Sequence, residues 1–339
     1  MVRDLLRITL LGSSNTTAAR GFPGFDPARD IPSLQDKVVL ITGAAGGLGR
    51  QTAVEIARHG RPRRLYLADL PRDQVASEAL LREIKEEAYG AEDAAAVTDP
   101  SSLFFLDLDL QSFESVRNCA ARFAADNEQL HLLILNAGVL RMAPALTTEG
   151  YEFHFGINYL GHALLSRLLL PVLLRTAANK PKKDVRVVVI SSEGHTMAPK
   201  AGVEYDKIKT DCAHLMYLKR YGQSKLALIG LMKQLSREHP QITTIAVHPG
   251  RIVTGLAQGL WKESNIARWT KGIAPLLCVP VSKGIQNHLW AATSPDVVSG
   301  TYYEPVGIPG TLSPTAQEEV FSKKLREWTD EALKEIAPL

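Results

Sequence analysis

The stretch Lys37–Gly49, KVVLITGAAGGLG, constrains the chain more than any other. Val38, Val39, Leu40 and Ile41 form a short apolar run rich in β-branched residues, as in a parallel strand covered on both faces. Gly43, Gly46, Gly47 and Gly49 follow at once, and Arg50–His59 has helical composition with Val54, Ile56 and Ala57 on an apolar face. A glycine turn that feeds a helix gathers backbone N–H groups and the positive helix end at one point, which suits a phosphate or pyrophosphate. An ordinary tight turn has the same local pattern, so the rest of the chain must decide. The glycines also fit two spacings at once: Gly43, Gly47 and Gly49 make GxxxGxG, whereas Gly43, Gly46 and Gly49 make GxxGxxG.

Beyond the turn, apolar strand-like runs alternate with amphipathic helical ones. Strands are predicted at 65–69, 103–107, 132–135, 185–190 and 242–247, and helices at 74–89, 111–126, 155–174 and 221–238. This alternation predicts an α/β fold, a doubly wound parallel sheet built from right-handed crossovers. Ligands bind such sheets at the carboxyl ends of the strands. The polar clusters lie at those ends: the glycine turn, Asp69, Asp109, Asn136, Ser192 and Pro249-Gly250. Asp69 follows the turn by about 20 residues, where a carboxylate accepts hydrogen bonds from an adenosine ribose and repels a 2′-phosphate. That favours NAD over NADP, with Arg72 near enough to keep NADP open.

Composition narrows the classes. A chain of 339 residues suits one large α/β domain, and no second domain or internal repeat is visible. Net charge is +3 with both signs interspersed, which gives no basic face for nucleic acid. Cys119, Cys212 and Cys278 are sparse and far apart, against a disulfide framework or a zinc site and in favour of a reducing, cytoplasmic setting. No His/Cys/Asp spacing suggests a metal. Arg3, Asp4 and Arg7 interrupt the apolar N-terminus, so a docked or disordered tail ranks above a membrane-surface helix. Leu164–Leu174 is short and holds Ser166 and Arg167, and is assigned to the core.

Tyr221 and Lys225, in YGQSK, are four apart at the predicted start of a helix and so share one face. An ammonium beside a phenol favours phenolate and predicts a Tyr221 pKa lowered from about 10 towards neutral. Such a tyrosine serves as general acid or base on an alcohol or carbonyl oxygen, with a strand-end serine donating to the same oxygen. A second match, Tyr205/Lys209 in YDKIK, falls in the loop after Pro199 and Gly202. Tyr221 is preferred because an uninterrupted helix holds it rigidly.

With these pieces in place, the chain resembles the short-chain dehydrogenase/reductase family, in its retinol-dehydrogenase-like and fungal subgroup. The resemblance rests on TGAAGGLG at 42–49, Asp69, Asp109-Leu110, NAG at 136–138, Asn158, Ser191-Ser192, YGQSK at 221–225 and PGRIVT at 249–254, in the family's order. It implies a single Rossmann-type domain over 36–310, after an irregular extension at 1–35. A substrate loop at about 193–220, an apolar lid at about 255–280 and a helical tail at 311–339 complete it. It further implies that Thr42, Gly43, Gly47, Leu48 and Gly49 hold the pyrophosphate and adenosine, and that Asp69 binds the ribose. Asp109 and Leu110 would flank the adenine, with Asp107-Leu108 as a competing match. Asn136, Ala137 and Gly138 would shape the sheet beside the cofactor, and Asn158 would position a relay water. Ser192, ahead of Ser191, would orient the substrate oxygen. Tyr221 would be the acid/base, Lys225 would bind the nicotinamide ribose, and Pro249, Gly250 and Thr254 would wrap the nicotinamide.

The implied activity is NAD(P)-dependent interconversion of an alcohol and its ketone or aldehyde. Leu256, Leu260, Trp261, Ile266 and Trp269 point to a bulky hydrophobic substrate of steroid, retinoid, polyketide or terpenoid type. A homodimer is compatible with this. The competing classes are a nucleotide-sugar epimerase of the extended type and a non-catalytic NAD(P)-binding regulator. Arg251 after Pro-Gly departs from the family pattern and is assigned an exposed structural role ahead of a substrate or phosphate contact. His195 is assigned no function ahead of a place at the substrate entry.

Overall fold

The computed structural model describes residues 25–90, 103–178, 184–252 and 279–337. Its strands are β1 (Val38–Thr42), β2 (Arg64–Asp69), β3 (Leu103–Asp107), β4 (Leu132–Leu135), β5 (Arg186–Ile190), β6 (Thr243–Val247), β7 (Tyr302–Glu304) and β8 (Ile308–Pro309). They form an eight-stranded sheet in the order β3-β2-β1-β4-β5-β6-β7-β8. Every pairing is parallel except the last, β7 with β8. The chain passes from β1 to β2 on one side and returns to β4 on the other. Strand order therefore reverses between β1 and β4, which opens a crevice at their carboxyl ends.

Among the described residues, seven longer helices cover the sheet: α1 (Gly47–Glu55), α2 (Gln74–Tyr89), α3 (Phe113–Asp126), α4 (His162–Ala178), α5 (Tyr217–Glu238), α6 (Val281–Thr293) and α7 (Glu319–Leu333). The alternation along β1 explains the unbroken apolar run. Val38 and Leu40 pack with α3, α4, α5 and α7, while Val39 and Ile41 pack with α1, α2 and α6. Local signals set the helix ends. Asp73 caps α2 by accepting from Ala76 N–H at 2.7 Å, and Gly90 ends it at φ 82°.

The structure departs from the sequence expectation in two places. Helix α5 begins at Tyr217, so Tyr221 lies one turn inside it and not at its start. Asn158 sits in a wide π-helical turn, Phe155–Gly161, that leads into α4. The C-terminal tail joins the core: Phe321, Leu325, Leu333 and Ala337 pack with α4 and α5, and the Tyr159 hydroxyl meets Thr329 Oγ1 at 2.6 Å. A fully buried Phe or Leu contributes about 1.5–3 kcal/mol, so these contacts bind the tail firmly. Phe155–Ala178, long and apolar enough to span a bilayer, is mostly buried among these elements. The N-terminal stretch 1–24, Thr254 and lid residues 255–278 lie outside the described residues.

Candidate active site

The glycine turn at the end of β1 has a definite geometry. Gly43 and Gly47 take left-handed backbone, with φ 66° and 53°. A Cβ on Gly49 would lie 2.1 Å from the Gly43 carbonyl oxygen, and one on Gly43 would lie 2.8 Å from Ala137 Cα. Gly46 is extended, at φ −155°, and a Cβ there would meet nothing within 4 Å. The turn therefore requires glycine at 43, 47 and 49, which selects the GxxxGxG spacing. Gly46 is the N-cap of α1 and makes no side-chain cap, and among the described residues none is seen at the first turn of that helix. Its leading N–H groups are left for an anion. Leu48 packs beside Ile252 and α6.

Asp69, at the tip of β2, braces this turn. Its Oδ2 accepts from Ala45 N–H and its Oδ1 from Leu70 N–H, both at 2.8 Å. On the next strand, exposed Asp107 accepts from Arg72 N–H at 3.2 Å, and the Arg72 guanidinium lies 5.9 Å from the Phe105 ring centroid. Asp109, half-buried, accepts from Gln111 N–H at 2.9 Å, and Leu110 is buried against Gly161. Both Asp residues occupy one rim with Asp69. Open glycine backbone, an uncapped helix N-terminus and carboxylates beyond it fit the pyrophosphate and adenosine ends of a dinucleotide.

A buried network links this turn to the π-helical turn. The Thr42 hydroxyl accepts from Asn136 N–H at 2.9 Å and Ala137 N–H at 3.0 Å, and donates to His162 Nε2 at 2.9 Å. His162 Nδ1–H donates to the Asn158 carbonyl at 2.9 Å; a carbonyl only accepts, which settles the tautomer. Burial lowers the His162 pKa to about 4, so the ring is neutral. The Thr42 hydroxyl thus works inside the protein, and Thr42 shapes the turn without offering its side chain to a ligand. Asn136 Nδ2 donates to the carbonyls of Thr42 at 2.8 Å and Gly43 at 3.2 Å. Asn158 holds Val139 through both ends of its amide and donates to Ser224 Oγ at 3.0 Å; Ser224 donates to the Tyr221 carbonyl at 2.7 Å. Asn158 therefore ties the strand-end loop after β4 to the turn of α5 that carries Tyr221.

Ser192, Tyr221 and Lys225 converge beyond the ends of β4 and β5. The Ser192 hydroxyl stands beside the Tyr221 ring, both of them crowding the Cβ position of Gly194, and accepts from Gly194 N–H at 3.0 Å. Ser191 is buried and donates to the Lys225 carbonyl at 2.9 Å, which leaves Ser192 as the serine that meets the phenol. Lys225 Nζ donates to the Ile190 carbonyl at 2.9 Å and sits 5.6 Å from the Tyr221 ring centroid. A Cβ on Gly138 would come within 3.5 Å of that nitrogen, so the glycine of NAG leaves room for it. Gly250, at φ 95°, closes the rim after β6 with Pro249.

The expected lowering of the Tyr221 pKa is not found. Burial pushes the phenol up to about 12; the Glu193 carboxylate raises it further, and the Ser192 contact lowers it. Lys225 does not overcome this, because burial pulls its own pKa down to about 7 and weakens it as a cation near neutrality.

The competing pair does not assemble. Tyr205 packs against Trp328 with ring centroids 5.7 Å apart, and Lys209 lies over the Tyr151 ring, 5.3 Å from its centroid.

Sequence reasoning missed a buried cluster beside the phenol. Glu152, His154 and Arg220 are nearly inaccessible. His154 accepts from Arg141 N–H at 3.0 Å and donates to Glu152 at 2.8 Å; its ring meets the Tyr221 ring edge-on at 6.1 Å. Arg220 donates to the carbonyls of Leu215 and Met142, with Glu152 Oε1 at 3.7 Å from Nε. A charged residue directly before the tyrosine motif was the available signal. His195, assigned no function from sequence, is buried: it donates to the Ser192 carbonyl at 2.8 Å and accepts from Ser313 N–H at 3.2 Å. It ties the serine loop to the C-terminal segment.

A family profile described as short chain dehydrogenase matches residues 37–217. An uncharacterized oxidoreductase of Schizosaccharomyces pombe is 35% identical over 320 residues, covering 91% of this chain and 89% of that protein. Retinol dehydrogenase 11 of Mus musculus is 31% identical over 296 residues, covering 86% and 84%. Among solved structures, a putative uncharacterized protein from Mycobacterium paratuberculosis superposes with a TM-score of 0.64 at 27% identity, covering 93% of this chain and all of that one.

Proposed function

The chain belongs to the short chain dehydrogenase family of oxidoreductases, and from that premise we propose that it interconverts a bulky hydrophobic alcohol and its ketone or aldehyde, with Tyr221 as acid/base. A nicotinamide dinucleotide, when bound, supplies or accepts the hydride at the substrate carbon. The glycine turn and α1 would hold its phosphates, and Lys225 and Pro249-Gly250 would take its nicotinamide end. In reduction the Tyr221 phenol gives its proton to the carbonyl oxygen while Ser192 hydrogen-bonds that same oxygen. In oxidation the phenolate takes the alcohol proton back. The raised Tyr221 pKa keeps the phenol protonated at neutral pH and suits the proton-donating direction. The reading is carried by one observation: Ser192, Tyr221 and Lys225 converge next to a glycine turn that would clash with any larger residue at position 49.

The apolar composition of 255–280 and the likeness to mouse retinol dehydrogenase 11 support a large apolar substrate. The test is spectrophotometric: NADH and NADPH oxidation by the full chain against a panel of hydrophobic ketones and aldehydes, with Tyr221→Phe alongside. Turnover by the native chain and its loss in Tyr221→Phe is the expected result; equal turnover by both sinks the acid/base assignment.

We further propose NAD as the preferred cofactor, because the Asp69 carboxylate stands at the turn where a 2′-phosphate would be repelled. Asp69→Asn keeps an acceptor for the turn and removes the charge. It should raise activity with NADPH relative to NADH by about tenfold, or about 1.4 kcal/mol. An unchanged ratio removes the basis for this preference.

A further inference from the structure

Beside the Tyr221 phenol stand a buried carboxylate, imidazole and guanidinium that the proton transfer itself does not use. Glu152, His154 and Arg220 are 0%, 1% and 2% exposed. Polar side chains this deep are costly unless they are tied, and these tie three segments together. The two Glu152 carboxylate oxygens accept from His154 Nδ1–H and from Phe155 N–H, each at 2.8 Å. The other His154 nitrogen accepts from Arg141 N–H at 3.0 Å. A backbone N–H only donates, so Nε2 carries the lone pair, Nδ1 carries the proton, and the ring is held at both nitrogens. Arg220, directly before Tyr221 on α5, donates to the Leu215 carbonyl at 2.6 Å and to the Met142 carbonyl, with its Nε 3.7 Å from Glu152 Oε1.

The ring fixed in this way meets the Tyr221 ring edge-on, with centroids 6.1 Å apart and planes at 82°. The same phenol is bordered by the serine loop, where a Cβ on Gly194 would lie 2.9 Å from Tyr221 Cε1, and by Lys225, whose Nζ lies 5.6 Å from the ring centroid. His154 opens the π-helical turn and precedes Asn158 by four residues. The two side chains hold one loop at neighbouring points, Arg141 and Val139. A histidine that only pins this loop needs its acceptor nitrogen. A histidine that backs the phenol needs its ring.

Resting on the reading of Tyr221 as acid/base, we propose that His154 is a positioning residue: anchored by Glu152 and by the Arg141 backbone, its ring backs the phenol and holds it at the angle from which the proton passes. Arg220 joins this support to the helix that carries Tyr221. A misplacement of about 1 Å at a reacting group costs about 10²-fold in rate, and a neighbour fixed at both ends keeps the phenol from moving that far.

Two substitutions separate the ring from the loop pin. His154→Phe keeps a flat ring beside Tyr221 and removes both hydrogen bonds. His154→Gln removes the ring and keeps an acceptor for Arg141 N–H. The deciding measurement uses the full chain with 3-fluorotyrosine at position 221 and needs no substrate. The native chain and His154→Phe should each show one fluorine resonance, from the ring edge away from Gly194. His154→Gln should show a second or a broadened resonance as the ring turns. With the hydrophobic ketone or aldehyde that the native chain reduces fastest, kcat should fall about tenfold in His154→Gln and about threefold or less in His154→Phe, with the cofactor KM unchanged in both. More than one resonance in the native chain, a native-like spectrum in His154→Gln, or a kcat loss in His154→Phe as large as in His154→Gln overturns the proposal. Should His154→Gln fail to fold, His154→Leu, which has neither ring nor acceptor, takes its place with the same expected order. Retained turnover in Tyr221→Phe overturns the acid/base reading and leaves the fluorine spectra standing.

Discussion

Two tyrosine–lysine pairs of identical spacing lie sixteen residues apart in this chain, and only one is built as a site. Tyr221 and Lys225 sit on the long helix α5, where a spacing of four puts both side chains on one face. Tyr205 and Lys209 lie in the irregular segment before that helix, where the same spacing carries no such meaning, and each contacts a different aromatic ring. The environments differ as well. The Tyr221 ring has the Ser192 hydroxyl beside it at the sheet's carboxyl rim, whereas the Tyr205 hydroxyl is buried with no hydrogen-bond partner among the described residues. Burial raises the pKa of both phenols, so burial alone does not mark the proposed acid/base. What marks it is the neighbour that can share an oxygen with it.

The largest effect that separates the pairs is on turnover. Tyr221→Phe should lower kcat by about 10²–10⁴-fold, the usual contribution of a positioned acid or base, with cofactor affinity measured by fluorescence quenching kept. Tyr205→Phe should keep native kcat. The reverse pattern would transfer the assignment to the loop.

A smaller contrast separates the lysines. Lys225→Met should cost about 10²-fold in turnover, and Lys209→Met should cost nothing measurable. Lys225 also leaves a mark on stability. Its folded pKa, about 7, lies below the ordinary value of 10.5, so between these values the unfolded chain holds a proton that the folded chain has released. Stability therefore rises with pH across that window. Denaturant titrations of the native chain and Lys225→Met at several pH values should show the variant lacking this component of the slope, while Lys209→Met retains it.

How much of this was legible in the sequence follows from the range of the interactions. Strands β1 to β6 showed as apolar runs, because two-sided burial writes itself residue by residue into a parallel strand. The choice among the four glycines was carried in the sequence only by distant motifs, yet it shows directly in the backbone: Gly46 occupies open space while Gly49 touches the Gly43 carbonyl. The Glu152–His154–Arg220 cluster, the His195 tie to Ser313 and the His162 link to Thr42 join segments far apart in the chain. No local periodicity encodes such contacts. The direction of the Tyr221 shift was misjudged for a related reason: the spacing to Lys225 was visible, but the depth of burial of both groups and the influence of Glu193 on the phenol were not.

The smallest effect is the most diagnostic of the unused pair. The Tyr205 ring packs well, beside Trp328 and under Lys324 Nζ at 5.0 Å from its centroid, but its hydroxyl is stripped of water with no partner among the described residues. An unsatisfied buried polar group costs about 1–3 kcal/mol, and phenylalanine has the same ring without that group. Tyr205→Phe should therefore stabilise the chain by about 1 kcal/mol, a rise in Tm of about 2 °C or less for a domain of this size. Tyr221→Phe should do the opposite, because it removes the phenol oxygen beside the Ser192 hydroxyl and leaves a polar group next to an apolar ring. Calorimetry on the two variants reads both signs. A loss of stability in Tyr205→Phe would mean that its hydroxyl has a partner after all, and the contrast between a working tyrosine and a packed one would narrow to chemistry alone.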